Sequence, residues 1–297
     1  MSEHYRGSKH GRTGEGRLRD RRDKDRDGKR ERPGIRRLRV VRVEDITPRL
    51  RRIVLTGEDL RGFPFQEFAP SDKVKLIFPD PSTGVLPLPV PSEKGLRWPG
   101  GRKPETRSYT VRGFDPDGSH GQGELLIEFV LHDHGIAGSW AIRAEPGDEL
   151  GVLGPKGARP FPKAAHYVAL GDETALPAIS RLIEEAPADT RVSAVIEVAD
   201  SAEEQQLASR TGADVQIRWM HRDSTPLPDG CLSLLEPTVD ELDLGDPEEL
   251  FVFAAGESLA MKALRGRIAE HVRLNKHQLD IHGYWKDRTR ADPRRRR

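Results

Sequence analysis

Cysteine is almost missing from the 297 residues, where Cys231 stands alone. One thiol forms no internal disulfide and cannot supply the four thiolates of an iron–sulfur cluster or a Cys-rich zinc site, so any redox centre has to arrive with a cofactor. A reducing, cytoplasmic setting is the expectation. Long apolar runs are lacking as well. The longest, Leu250 to Ala255, falls far short of the roughly 20 residues that cross a bilayer, and the polar N-terminus has no apolar signal-peptide segment. The chain is therefore expected neither to span a membrane nor to be exported by an ordinary signal peptide. Net charge is only +1, but residues 1–34 carry twelve basic and seven acidic side chains and residues 286–297 carry seven and two, which leaves the interior at −9.

The opening, with runs such as Arg17 to Lys24, has almost nothing apolar to bury and cannot offset its ordering entropy. Residues 1–34 read as a disordered basic tail and residues 287–297 as a basic C-terminal tail. Arg294 to Arg297 could attract nucleic acid or an acidic membrane face. Against a nucleic-acid-associated binding protein stand the acidic interior and the lack of a recognition helix, zinc-finger spacing or aromatic RNA platform.

Between the tails the pattern divides in two. Residues 35–160 hold short β-prone runs separated by Gly/Pro-rich turns: Arg39 to Val43, Arg52 to Leu55, Val74 to Phe78 and Glu124 to Leu131. Pro81 to Pro104 has no clear period and reads as an extended loop or hairpin excursion. Such a half predicts a small antiparallel β-barrel. Residues 161–286 alternate apolar strands with helical segments: strands at His166 to Leu170, Arg191 to Ala199, Asp214 to Met220, Phe251 to Ala255 and Gln278 to Ile281, and helices at Thr174 to Glu185, Glu203 to Ser209 and Ser258 to Arg273. This predicts an α/β domain with a parallel sheet covered on both faces. The turn cluster Gly154 to Pro160 is the expected boundary.

Several constellations could carry chemistry. In Arg107-Ser108-Tyr109-Thr110-Val111-Arg112, strand alternation puts Arg107 and Tyr109 on one face, a guanidinium for phosphate beside a ring for a flat heterocycle. His132 to Ala141 follows a strand with small residues, and a short helix starting near Ala137 would aim free N–H groups at an anion. Gly171 to Pro177 and Ala254 to Ser258 sit at strand-to-helix junctions, where open α/β sheets bind ligands, although Asp172 and Glu173 also serve as helix-capping residues. His221 and Arg222 could meet an adenosine phosphate and Asp200 a ribose hydroxyl, so NADH and NADPH are not separated. Tyr284-Trp285-Lys286 follows the last short strand and could cover a planar cofactor or fill a seam.

Taken in order, Asp72 to Pro79, Arg107 to Arg112, His134 to Ala141, Gly171 to Pro177, Ala255 to Glu257 and Tyr284 to Lys286 resemble the siderophore-interacting proteins, FAD-dependent ferric-siderophore reductases of the ferredoxin-reductase-like superfamily. The resemblance spans about residues 35–287. It implies an FAD-binding antiparallel barrel followed by a parallel-sheet domain for NADH or NADPH, with hydride passed to FAD and single electrons passed on to Fe(III) in a siderophore. It further implies that Arg107, Ser108, Tyr109, Thr110 and Arg112 hold the flavin and its phosphates. His134, Gly135, Ala137, Gly138 and Ser139 would cradle the pyrophosphate. Asp172, Glu173 and Thr174 would stand at the nicotinamide entry, Ala255, Gly256 and Glu257 on the nucleotide side, and Trp285 near the ring. Lys75 and Lys286 would face the ferric chelate, and a ferredoxin is a further candidate donor. The family's usual H-G-P-A-S-R-W-A is altered here by Ile136, Gly138 and Ser139, which removes one expected cation, and Lys286 replaces a frequent Arg. A general flavin-dependent diaphorase with a protein or quinone acceptor is the rival enzyme reading.

Overall fold

In β1 (Ile35–Thr47), Leu38 and Val40 turn inward while Arg37 and Arg39 face solvent, the period-two pattern of a half-buried strand. The structure is a computed structural model that describes residues 34–287 except 93–94, 102, 119–120 and 156–158, together with residue 289. The expected charged tails and the middle of the 154–160 turn cluster lie outside the described residues. After β1 come β2 (Leu50–Thr56), β3 (Lys73–Ile77), β4 (Val90–Ser92), β5 (Gly95–Arg97), β6 (Thr106–Thr110), β7 (Gly113–Asp115), β8 (Glu124–Val130), α1 (Gly135–Arg143) and β9 (Glu149–Leu153).

Seven of these strands form one antiparallel sheet in the order β6-β3-β9-β1-β2-β8-β7. Its two edges, β6 and β7, are consecutive in the chain and only two residues apart, so the sheet must roll until its edges meet. Val111 N donates to Asp72 O (2.9 Å) at one edge and Arg112 N donates to Leu126 O (3.0 Å) at the other. The interior of the roll is filled by Leu38, Ile53, Leu76, Phe129 and Val152, and α1 plugs one end with Ala137 and Ala141. The Pro/Gly-rich stretch is a loop carrying the β4–β5 hairpin, with Leu86 and Trp98 packed on Ile77 and Leu153.

The second half comprises β10 (His166–Asp172), α2 (Leu176–Glu185), β11 (Arg191–Val198), β12 (Asp214–His221), α3 (Leu235–Thr238), β13 (Leu250–Glu257), α4 (Ser258–His271) and β14 (Leu279–Trp285). The strands form an all-parallel sheet, β12-β11-β10-β13-β14. Helix α2 packs on one face and α3 with α4 on the other, which is why β10 and β13 are buried along their whole length and read as nearly continuous apolar runs. Among the described residues no helix is long and apolar enough to cross a membrane.

Two expectations need correction. No helix forms over 203–209. A single 3-10 turn, Ser201–Glu203, is followed by irregular chain, because Glu203 is buried with its Oε2 accepting from Thr47 Oγ1 (2.5 Å) and Leu207 packs on the sheet. The last strand does not stop at Ile281, so Tyr284 and Trp285 belong to β14 rather than following it.

Candidate functional site

Pairing of β3 with β6 sets the faces of the first candidate strand. Val74 lies opposite Tyr109 and Leu76 opposite Arg107, while Lys73 and Lys75 lie opposite Thr110 and Ser108. Directly opposed residues share a face, so Arg107 and Tyr109 sit on the interior side and Lys75 with Ser108 on the other. The Tyr109 ring packs 4.4 Å from Phe129, and burial raises its phenol well above the usual tyrosine range. Arg107 pairs locally with the Glu105 carboxylate and donates to Thr106 O (3.1 Å). Lys75 is exposed.

Arg112 departs from this strand's surface. It makes a bidentate pair with Glu184 of α2 (3.0 and 2.5 Å) and lies 3.4 Å from Glu128. Its guanidinium joins the two halves of the fold. A second arginine, absent from the expected set, does the same more completely. Arg181 of α2 is 0% exposed; it donates to the carbonyls of Ala69 and Val111 (both 3.1 Å) and Gln66 (2.9 Å), pairs with Glu185, and stacks 4.6 Å over Phe65.

Helix α1 begins at Gly135 in a left-handed conformation (φ 74°), which suits glycine. His134 occupies the cap position without a side-chain capping bond, and the first turn has no acidic residue. The leading N–H groups are thus left for an outside acceptor. His134 points into solvent beside Asp133, and Ser139 Oγ donates to Asp133 O (3.2 Å). Ala137 and Gly138 face inward. A Cβ on Gly138 would lie 2.3 Å from His132 O, so glycine here lets the helix press onto the end of β8's extension.

The second locus is the carboxyl edge of the parallel sheet. Asp172 ends β10 in a buried position and accepts four hydrogen bonds: Oδ1 from Thr174 N (2.9 Å) and Thr174 Oγ1 (2.5 Å), Oδ2 from Glu257 N (3.1 Å) and the Trp285 indole (2.8 Å). Burial, followed by the neighbouring charge of Glu173, pushes its carboxyl up to about 6 against the pull of those donors. Gly256 makes the approach possible, since a Cβ there would stand 2.7 Å from Asp172 Oδ2. Ala255, one residue earlier, lies within β13 with no accessible side chain. Glu257 caps α4, its Oε2 accepting from Leu259 N (2.7 Å) and Ala260 N (3.0 Å). Trp285 is held at both ends, by Asp172 and by Ser258 Oγ donating to its carbonyl (2.6 Å), yet 45% of the residue is exposed. Lys286 follows, exposed.

These groups open on a cavity of about 210 Å³ lined by Asp172, Glu173, Glu197, Arg222, Glu257 and Trp285 among others. Arg222 makes a bidentate pair with Glu173 (2.8 and 2.5 Å) and lies 3.6 Å from Glu197. Tyr284 of β14 stands beside Thr110 of β6, and burial pushes its phenol up to about 12. Sequence reasoning missed Arg181, Glu184 and Glu197; the one available signal was the Arg181/Glu185 spacing on α2, which also fits a solvated helix face.

The siderophore-interacting FAD-binding domain profile matches residues 39–159 and the siderophore-interacting protein profile matches residues 164–288. The chain is 32% identical to the ferric vibriobactin reductase of Vibrio cholerae over 252 residues, covering 84% of this chain and 88% of that one. It is 34% identical to an NADPH-dependent ferric-chelate reductase of Escherichia coli over 255 residues, covering 84% and 92%. The crystal structure of a siderophore utilization protein from T. fusca superposes with a TM-score of 0.74 at 43% identity, covering 86% of this chain and 94% of that one. With both halves of the fold matched in order, the chain belongs to the siderophore-interacting protein family.

Proposed function

We propose that this protein is an FAD-dependent, NAD(P)H-linked reductase of ferric siderophores, with residues 35–160 serving the flavin and 161–286 the nucleotide. The observation that carries it is the pair of clasps between α2 and the first half, Arg112 to Glu184 and Arg181 to the carbonyls of Gln66, Ala69 and Val111. They hold the nucleotide sheet, with Trp285 and the Asp172 cleft, against the half that would hold the flavin, so that hydride donor and acceptor would meet.

The residues fit FAD. An uncapped helix N-terminus with free N–H donors and no acidic first turn suits a pyrophosphate, and space is open around Gly135, where an added Cβ would meet nothing within 4 Å. His134, Gly135, Ala137, Gly138 and Ser139 would form this cradle, the first two through backbone groups and Ala137 and Gly138 by letting the helix seat. Arg107, Ser108, Tyr109 and Thr110 would border the flavin, with Arg112, held by Glu184, beside them. Asp172, Glu173, Thr174, Ala255, Gly256, Glu257 and Trp285 would shape the nicotinamide side. When bound, FAD supplies the conversion from two-electron to one-electron transfer that lets a nicotinamide nucleotide reduce iron.

The chain's own tasks are orientation and attraction. The doubly tethered Trp285 would set one wall of the cleft, and Lys75 and Lys286 would draw in an anionic ferric chelate. Hard oxygen donors hold Fe(III) better than Fe(II), so reduction loosens the metal without a protein ligand. The proposal extends to a cytoplasmic setting, supported by the single cysteine, and to a ferredoxin as a second donor, supported by the superfamily resemblance.

The test mixes protein, FAD, NADH or NADPH and a ferric catecholate with an Fe(II) trap. Fe(II) should appear well above the protein-free rate, and faster than quinone or ferredoxin is reduced under the same conditions. A rate equal to the protein-free control overturns the proposal.

A further inference from the structure

We infer that the nucleotide cleft is built for a dinucleotide without a 2′-phosphate, so that NADH is preferred to NADPH; this rests on the reading of the cleft as the nicotinamide-nucleotide site. In sheets of this kind the nucleotide lies outside the carboxyl ends of the strands, and an acidic residue there suits a ribose 2′-hydroxyl whereas a free arginine accommodates a 2′-phosphate. The basic side chains at the end of β12 are His221 and Arg222, and neither is free. Arg222 donates from its two terminal guanidinium nitrogens to Glu173, with Glu197 3.6 Å away. His221 Nε2 sits 2.8 Å from Glu204 Oε1. Among the described residues lining the cavity, Arg222 is the only Lys or Arg, set against Asp172, Glu173, Glu197 and Glu257.

Beyond the end of β11 stands Asp200, whose Oδ1 accepts from Ala202 N (3.0 Å) and whose Oδ2 lies 3.5 Å from Arg49. Its carboxylate, though engaged locally, stays 30% exposed beyond the strand end, where an acceptor suits a ribose hydroxyl. A phosphate monoester adds about −1.5 to −2 charge at neutral pH. Arg222 has N–H donors to spare, but its single positive charge already faces the carboxylates of Glu173 and Glu197, so a phosphate would be a third anion on one cation. An unesterified ribose makes no such demand.

The binding test uses the flavin-loaded full chain and two adenosine probes, 5′-AMP and 2′,5′-ADP, titrated calorimetrically. The expected result is 2′,5′-ADP bound at least tenfold more weakly than 5′-AMP, together with kcat/KM for NADH at least tenfold above that for NADPH. Glu173→Gln releases Arg222 and Glu204→Gln releases His221; each is expected to raise the NADPH-to-NADH ratio of kcat/KM at least fivefold. Tighter or equal binding of 2′,5′-ADP, or a ratio unmoved in both variants, overturns the inference while leaving the reductase reading intact. If neither nucleotide reduces a bound flavin that dithionite reduces, the nicotinamide reading fails and this inference fails with it.

Discussion

Replacing Arg181 by Met should destabilise the protein more than any other single exchange on α2. The guanidinium is fully enclosed and is the hydrogen-bond donor for three backbone carbonyls, Gln66, Ala69 and Val111, as well as for the Glu185 carboxylate. Methionine is similar in length but donates nothing. Removing one partner of a buried ion pair costs about 3–5 kcal/mol, because the other is left charged and unpaired, and each carbonyl left without a donor adds about 1 kcal/mol or more unless water reaches it. Glu185 is partly exposed and keeps one donor, Phe68 N at 2.6 Å, and Ala69 O keeps Asp72 N at 2.9 Å, so the lower end of both ranges applies and an estimate of about 4 kcal/mol is reasonable. For a chain of this size that is a fall in Tm of roughly 8–16 °C. The assay is urea unfolding followed by tryptophan fluorescence, with the m-value checked for constancy. Adding Glu185→Leu removes the orphaned carboxylate, and the double variant should recover about half of the loss. Residues 66–69 and 111 flank β3 and β6, so flavin retention should fall in parallel. An R181M protein within about 1 kcal/mol of the parent, with full flavin content, would refute the assignment of Arg181 as the anchor between the two halves.

Gly138→Ala drives a Cβ to within 2.3 Å of His132 O, a backbone atom; overpacking of this kind costs about 1–3 kcal/mol, and the displaced α1 should lower the flavin-to-protein absorbance ratio, an unchanged ratio and midpoint counting against the packing argument. Asp72 has a buried carboxyl pushed up to about 6, chiefly by burial, with Oδ2 lacking any partner. Since the folded state then binds the proton more tightly than the unfolded state, this group's contribution to stability is full below the unfolded value near 4 and is lost as pH rises through 6. Asp72→Asn should therefore match the parent near pH 4 and exceed it by about 2–3 kcal/mol at pH 7.5, and urea midpoints at both pH values decide it. Lys75→Glu and Lys286→Glu should each raise KM for an anionic ferric chelate roughly three- to tenfold at low salt, the effect shrinking as ionic strength rises; salt-independent kinetics would exclude electrostatic capture at these positions.

Local pattern carried a large part of the fold. Period-two runs such as Val74 to Phe78 and the apolar runs at β10 and β13 are set by neighbours in the sequence, because a strand buried on one or both faces must present side chains in that order. The apolar stripe of α2, Leu176, Ile179, Leu182 and Ile183, is legible for the same reason. The tryptophan of β14 and the glycines at 135, 138 and 256 were also visible as residue types. Their work was not, since a glycine's purpose lies in what would strike its Cβ.

What required the tertiary structure is wherever one half of the chain meets the other. The face of α2 turned away from the sheet, with Arg181 and Glu184, has the composition of a solvated surface, and only the packing of the first half against it turns those charges into buried clasps with residues 66, 69, 111 and 112. Asp172 finds Glu257 and Trp285 from positions 85 and 113 residues away. Segment 203–209 has helical propensity, yet Glu203 bound to Thr47 holds it irregular. Propensity and periodicity act over a few residues and were decided by the sequence alone; a charge's partner depends on which distant surface covers it, and that was decided by the fold.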